Sequence, residues 1–106
     1  KMTIHNNLLG GGVASNIAIS TSSNGDAVTT MYFCNTDTNP ITFNLHVCPA
    51  GFEANGNNVV YSNKLLTNGD TYVIDLEKLT LGFHDTLQAN ANVANKVVAT
   101  VSTIGL

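Results

Sequence analysis

The side chains best able to do chemistry in this 106-residue chain are three histidines and two cysteines. Nucleophilic catalysis needs a Ser or Cys within hydrogen-bond reach of a base, itself oriented by a third group. Cys34 or Cys48 with His46 is the one grouping of that type. His46 and Cys48 occupy positions i and i+2 of one expected strand. That places their side chains on one face but roughly 6.5–7 Å apart. No glycine-rich oxyanion loop adjoins them, so no catalytic residue is assigned and the chain is not expected to be an enzyme. No CxxC or HxxxH spacing points to zinc. Asp26, Asp37, Asp70, Asp75 and Asp85 are scattered singly, without the clustered oxygen ligands of a calcium loop. No metal and no cofactor is therefore expected. His84-Asp85 reads as a turn in which Asp85 accepts local backbone N–H bonds.

The cysteines flank Asn35-Thr36-Asp37-Thr38-Asn39-Pro40, a cluster of turn formers. Read as a β-hairpin, this places Cys34 opposite Ile41 or Thr42, with Cys48 about 20 Å further along at strand rise. A disulfide needs Cα atoms within about 7 Å. Two free thiols are expected, in keeping with assembly in a reducing cytosol.

The surface these residues sit on is nearly uncharged. Charged residues make up 10% of the chain, and hydrophobic residues 43%. Fifteen Asn, thirteen Thr and six Ser supply the polar surface instead. Four Lys, no Arg and a net charge of −3 argue against binding nucleic acid. No apolar run approaches the length of a membrane helix, and Lys1–His5 do not read as a signal peptide. Asn, Asp and Thr on a β framework can hold sugar hydroxyls. Sugar platforms usually also need exposed aromatics, and there is no Trp. Tyr32 and Tyr72 fall in expected strands, where a core role is expected.

The elements follow from alternation. Ile41, Phe43, Leu45 and Val47 alternate with Thr42, Asn44, His46 and Cys48, the cleanest half-buried strand in the chain. Similar alternation covers Val13–Ser20, Thr71–Leu76, Thr86–Ala91 and Val97–Ile104, with a shorter strand at Val59–Leu65. Ala27–Asn35 is apolar or small on both faces, as a central strand would be. Asn24-Gly25, Asn68-Gly69, Gly82–Asp85 and Asn92–Asn95 punctuate these runs, and Pro49–Asn58 forms a longer loop. Seven to eight short strands predict a single antiparallel β-sandwich, immunoglobulin-like or jelly-roll-like, over residues 13–106. An open barrel of the same strands is the rival arrangement. The expected core includes Ile17, Ile19, Phe33, Phe43, Leu45, Ile74, Leu76, Leu87 and Val101. Residues 1–12 stand apart: Met2, Ile4, Leu8 and Leu9 are apolar, and Gly10-Gly11-Gly12 follows as a flexible joint. This segment reads either as an arm packing on a neighbouring subunit or as a first edge strand. Met2, Ile4, Leu8 and Leu9 are its expected partner contacts.

Several stretches resemble a known group. They are Met31-Tyr32-Phe33-Cys34-Asn35-Thr36, Pro40–Val47 with Pro49-Ala50-Gly51, Leu79–Ala91, and the valine-rich Val97–Ser102. Over about residues 27–106 their order resembles small β-sandwich structural proteins of tailed bacteriophages, the capsid decoration (cement) or fibre modules. The family pattern often has Gly-Asp before the penultimate strand, where this chain has His84-Asp85. The resemblance implies a non-enzymatic virion protein on the outer surface of the head, assembled in the host cytoplasm. Its implied partners are the major capsid protein and copies of itself, with no nucleic acid and no membrane. The alternative is a glycan- or receptor-binding module of a tail fibre or other appendage.

Overall fold

A computed structural model describes residues 2–106, except for the side chains at 76–78. Eight strands are defined among the described residues: β1 (Met2–Leu8), β2 (Ser15–Ile19), β3 (Asp26–Asn35), β4 (Ile41–Cys48), β5 (Val59–Leu66), β6 (Thr71–Leu81), β7 (Thr86–Ala91) and β8 (Val97–Gly105). They pair antiparallel in two packed sheets, ordered β1-β8-β3-β6 and β2-β7-β4-β5. Every connection except β4–β5 carries the chain from one sheet to the other. Two four-stranded sheets interleaved in this way make the β-sandwich a jelly roll.

The core lies between the sheets and is made by period-2 alternation. Phe33 of the first sheet stacks on Phe43 of the second, with ring centroids 4.3 Å apart. Tyr61 and Tyr72 pack at the edge of that stack. Ile17, Ile74, Leu45, Leu87 and Val101 are buried around it, as the alternation predicts. Each fully buried side chain of this size contributes about 1.5–3 kcal/mol. The expected core position Leu76 lies outside the described side chains.

Three expectations are corrected. Ile19 is 42% exposed, because the β2–β7 ladder shifts register between Asn16 and Ala18. One extra residue there turns Ala18 inward and Ile19 outward. Cys34 and Cys48 do not flank a hairpin: β3 and β4 lie in different sheets, and Asn35–Pro40 is an arch between them. Both thiols are free, as expected, but sheet separation rather than hairpin register is the reason. Cys48 keeps the expected parity: it shares the His46 face, opposite Thr86 in an unbroken β4–β7 register, and is nonetheless fully buried there, while Val47 packs against the core. Tyr32 is exposed on the outer face of the first sheet, whereas Tyr72 packs against the core.

The N-terminal segment is an edge strand. β1 pairs with β8 without interruption from Met2↔Ile104 to Leu8↔Val98. Leu9, expected as a partner contact, is fully buried in the domain's own core. Its backbone donates to Val97 O and accepts from Asn95 N, which draws the side chain inward. The triple glycine is fastened rather than loose. Ala91 N donates to Gly10 O, and Gly12 N donates to Ala91 O. At Gly11 a Cβ would stand 3.1 Å from Ala94 N, and Gly12 takes φ +87. Those two positions need glycine for close approach and for the left-handed turn.

Candidate interaction surfaces

The residues singled out for chemistry are not brought together. Cys34 lies in the first sheet and His46 in the second. Burial pushes the Cys48 thiol up, away from the reactive thiolate, against a smaller opposing hydrogen bond from Thr86. His46 Nδ1 is engaged by Asn55 O at 3.1 Å and Asn58 Oδ1 at 2.9 Å. His84 sits in its turn at φ 71, stacked on the Phe83 ring at 3.7 Å. It therefore holds the left-handed conformation that a glycine adopts more readily. Asp85 accepts from Gly82 N at 2.8 Å, the local bond its turn assignment predicts, and also from the distant Ala50 N at 2.8 Å. Among the described residues no group of three or more His, Cys, Asp or Glu is placed to hold a metal ion.

Two buried polar side chains, Asn35 and Asp26, are structural staples that sequence reasoning missed. Asn35 is fully buried at the arch. Its Nδ2 lies 2.9 Å from Asn39 O, 3.1 Å from Leu66 O and 3.2 Å from Thr67 O, while its Oδ1 accepts from Asp37 N. It thus ties the arch to the β5–β6 turn. Asp26 is buried at the start of β3. It accepts from Ser20 Oγ at 2.6 Å, Ser22 Oγ at 3.1 Å and Thr21 N at 3.1 Å. The Ser20 hydroxyl leads in holding its carboxyl below the usual carboxylate range, outweighing the opposing effect of burial. In sequence both read as ordinary turn formers.

The surface that stands out is β1. Directly paired residues share a face. Thr3, His5 and Asn7 pair with Thr103, Val101 and Ala99, all three buried, so they face inward. Met2, Ile4 and Leu8 therefore point outward, and are 67%, 67% and 55% exposed. The apolar set alternates after all, but with its polarity reversed. The inward polar residues bond locally: His5 Nε2 lies 3.3 Å from Thr103 Oγ1, and Asn7 Nδ2 donates to Ile17 O at 3.0 Å. The outward set continues across the sheet through Ile104 and Val98 of β8, and Tyr32 and Val73 on β3 and β6 are exposed on the same side.

The four sheet edges differ in protection. β2 is five residues long and bulged. β5 shifts register twice and carries Lys64 beside Asn63 at φ 52. β6 carries Asp75 and shifts register against β3. Bulges, short length and charges all discourage another strand from adding to an edge. β1 has unbroken register and no Pro, Lys, Asp or Glu from Met2 to Leu8. Beside it, an open slot of about 360 Å³ runs between β1 and β2, lined by residues that include His5, Asn7 and Ile17.

The outer face of the second sheet is different in kind. Asn16 pairs with Gln88 and Gln88 with His46; beside them Asn90 pairs with Asn44. The loop 49–58 folds over this amide-rich face. Gln88, 8% exposed, fastens it: its Oε1 accepts from Ala54 N, and its Nε2 donates to Phe52 O. On the opposite side, Asn90 Nδ2 donates to Gly12 O.

No family model, curated protein or solved structure matches this chain.

Proposed function

We propose that this chain is a non-enzymatic structural protein that acts by surface contact in an assembly. The capsid-decorating role on a phage head, implied by the sequence resemblance, is the reading its surfaces support best. The observation that carries it is β1: an edge strand of unbroken register whose apolar side chains Met2, Ile4 and Leu8 all face out, with Asn6 among them, while Thr3, His5 and Asn7 are on the inward side. A half-buried strand that served only its own domain would place them the other way. Largely exposed in water, Met2, Ile4 and Leu8 contribute little to the fold and favour association. Covered by a neighbour, they add burial worth about 25 cal/mol per Å² before ordering costs. The edge itself offers backbone hydrogen bonds to a strand from the shell or from a second copy. A nearly uncharged surface suits the same role, because packed interface centres are poor in charge.

The test adds purified chain to particles stripped of their outer proteins. Wild type is expected to bind shells at high occupancy, and Ile4→Lys to bind them poorly while remaining folded. If wild type ignores shells, or Ile4→Lys binds as well as wild type, the proposal is wrong.

A further inference from the structure

We infer that the outer face of the β2-β7-β4-β5 sheet carries a binding site for a neutral saccharide, in the recess between Gly12–Ser15 and the loop 51–58. This goes beyond the assembly reading and does not depend on it, since β1 belongs to the other sheet.

The recess has the build of a site rather than of ordinary surface. It consists of two adjoining hollows of about 490 and 470 Å³ that share Val13, Ala14 and Ala54. Both walls are held from beneath. Gly12 is tied to Ala91 and Asn90, and the loop is tied to Gln88. Held walls reduce the ordering cost of binding.

Apart from Glu53, the groups left open are amides, a hydroxyl and an imidazole, of both hydrogen-bonding senses. The partners of His46 Nδ1 are a carbonyl oxygen, from Asn55, and the amide oxygen of Asn58. That amide is oriented by its own bonds, because its oxygen accepts from Asn55 N and its nitrogen donates to Glu53 O. Nδ1 therefore carries a proton. Nε2 has no hydrogen-bond partner among the described residues, and in the tautomer with the proton on Nδ1 it offers a lone pair as an acceptor. Asn44 and Asn90 each use one Nδ2 proton internally, on Asn90 Oδ1 and Gly12 O respectively. Each keeps a second proton to donate. Ser62 lines the same hollow. Apolar surface from Val13, Ala14 and Val59 stands beside these groups, and Phe52 is 62% exposed in the adjoining hollow.

A hydroxyl is both donor and acceptor, and a sugar ring alternates hydroxyls with C–H surface. That chemistry matches an acceptor nitrogen, amide donors and small apolar patches. Phosphate or sulfate finds no cation here, because no Lys lines either hollow, and Glu53 would repel it.

Affinity electrophoresis tests this in gels containing dextran, laminarin, mannan or galactan, with dextran sulfate as the anionic arm. Wild type is expected to be retarded by at least one neutral polysaccharide and not by dextran sulfate. Amide NMR shifts with the retarding polysaccharide should cluster on residues 12–16, 44–46, 53–62 and 88–90. Ala14→Arg, which fills the recess, should weaken retardation about tenfold or more. Ser62→Arg does the same from an exposed position on β5, in case the first variant fails to fold. Retardation by none of the neutral polysaccharides, retardation by dextran sulfate alone, shifts confined to β1 and its sheet, or undiminished binding by a folded variant would each overturn the inference.

Discussion

β4 and β1 are strands of similar length with the same alternation, pointing opposite ways. On β4, Ile41, Phe43 and Leu45 face the core and Thr42, Asn44 and His46 face out. On β1, Thr3, His5 and Asn7 face in, and Met2, Ile4 and Leu8 face out. β4 is central in its sheet and is held by burial; β1 is an edge held chiefly by its ladder with β8. The difference separates two uses of apolar residues. One set stabilises the domain, and the other stays in water, where the proposed role would have a neighbour cover it.

The comparison breaks most visibly at Phe43. Phe43→Ala removes half of the inter-sheet stack and should cost about 3–5 kcal/mol in urea unfolding. A loss under about 0.5 kcal/mol, as at surface sites, would mean that the β4 parity is wrong. Asn35→Ala comes next. It leaves the arch carbonyls and Asp37 N without their buried partner, at a cost of about 1–3 kcal/mol. Chemical denaturation with Asn35→Ala should show that loss, with the slope of the transition unchanged.

Asp26 adds a pH signature that β1 lacks. Its folded-state pKa is lowered, so its contribution is present above the ordinary carboxylate range and is lost as pH falls through the folded value. Asp26→Asn should therefore be less stable than wild type near neutrality, by about 1–3 kcal/mol. The gap should close as both are titrated below about pH 4. Thermal melts of the pair across that range check the sign. Ile4→Lys should move stability least, within about 0.5 kcal/mol, because the side chain is already in water. A larger loss would mean that Ile4 serves the fold.

These contrasts also mark what could be read from the residues alone. Phe43, Leu45, Leu87 and Val101 were legible because period-2 alternation on a regular strand fixes the buried face. Ile19 was not, because a one-residue bulge inverts parity and leaves no compositional mark. The arch at Asn35–Pro40 was misread as a hairpin because turn chemistry says where a chain bends, not which strands then pair. Leu9 follows Leu8 in the same apolar cluster, yet only the bonds to Val97 and Asn95 decide that it turns inward. The amide recess had no local signal, since its walls lie some forty residues apart in the chain. Of its floor, His46 stands out in sequence only as a base near cysteine. The free edge of β1 emerged only when its neighbours were known, although its apolar residues had been marked as contacts.

The claim that β1 exists to be covered is tested most directly by amide hydrogen exchange along Met2–Leu8, in the free chain and in the chain bound to shells. Fast exchange is expected at the β1 amides that do not bond to β8 in the free chain, and strong slowing of those amides on assembly, while the β4 interior stays protected in both. Unchanged exchange along β1 on saturated shells would contradict it.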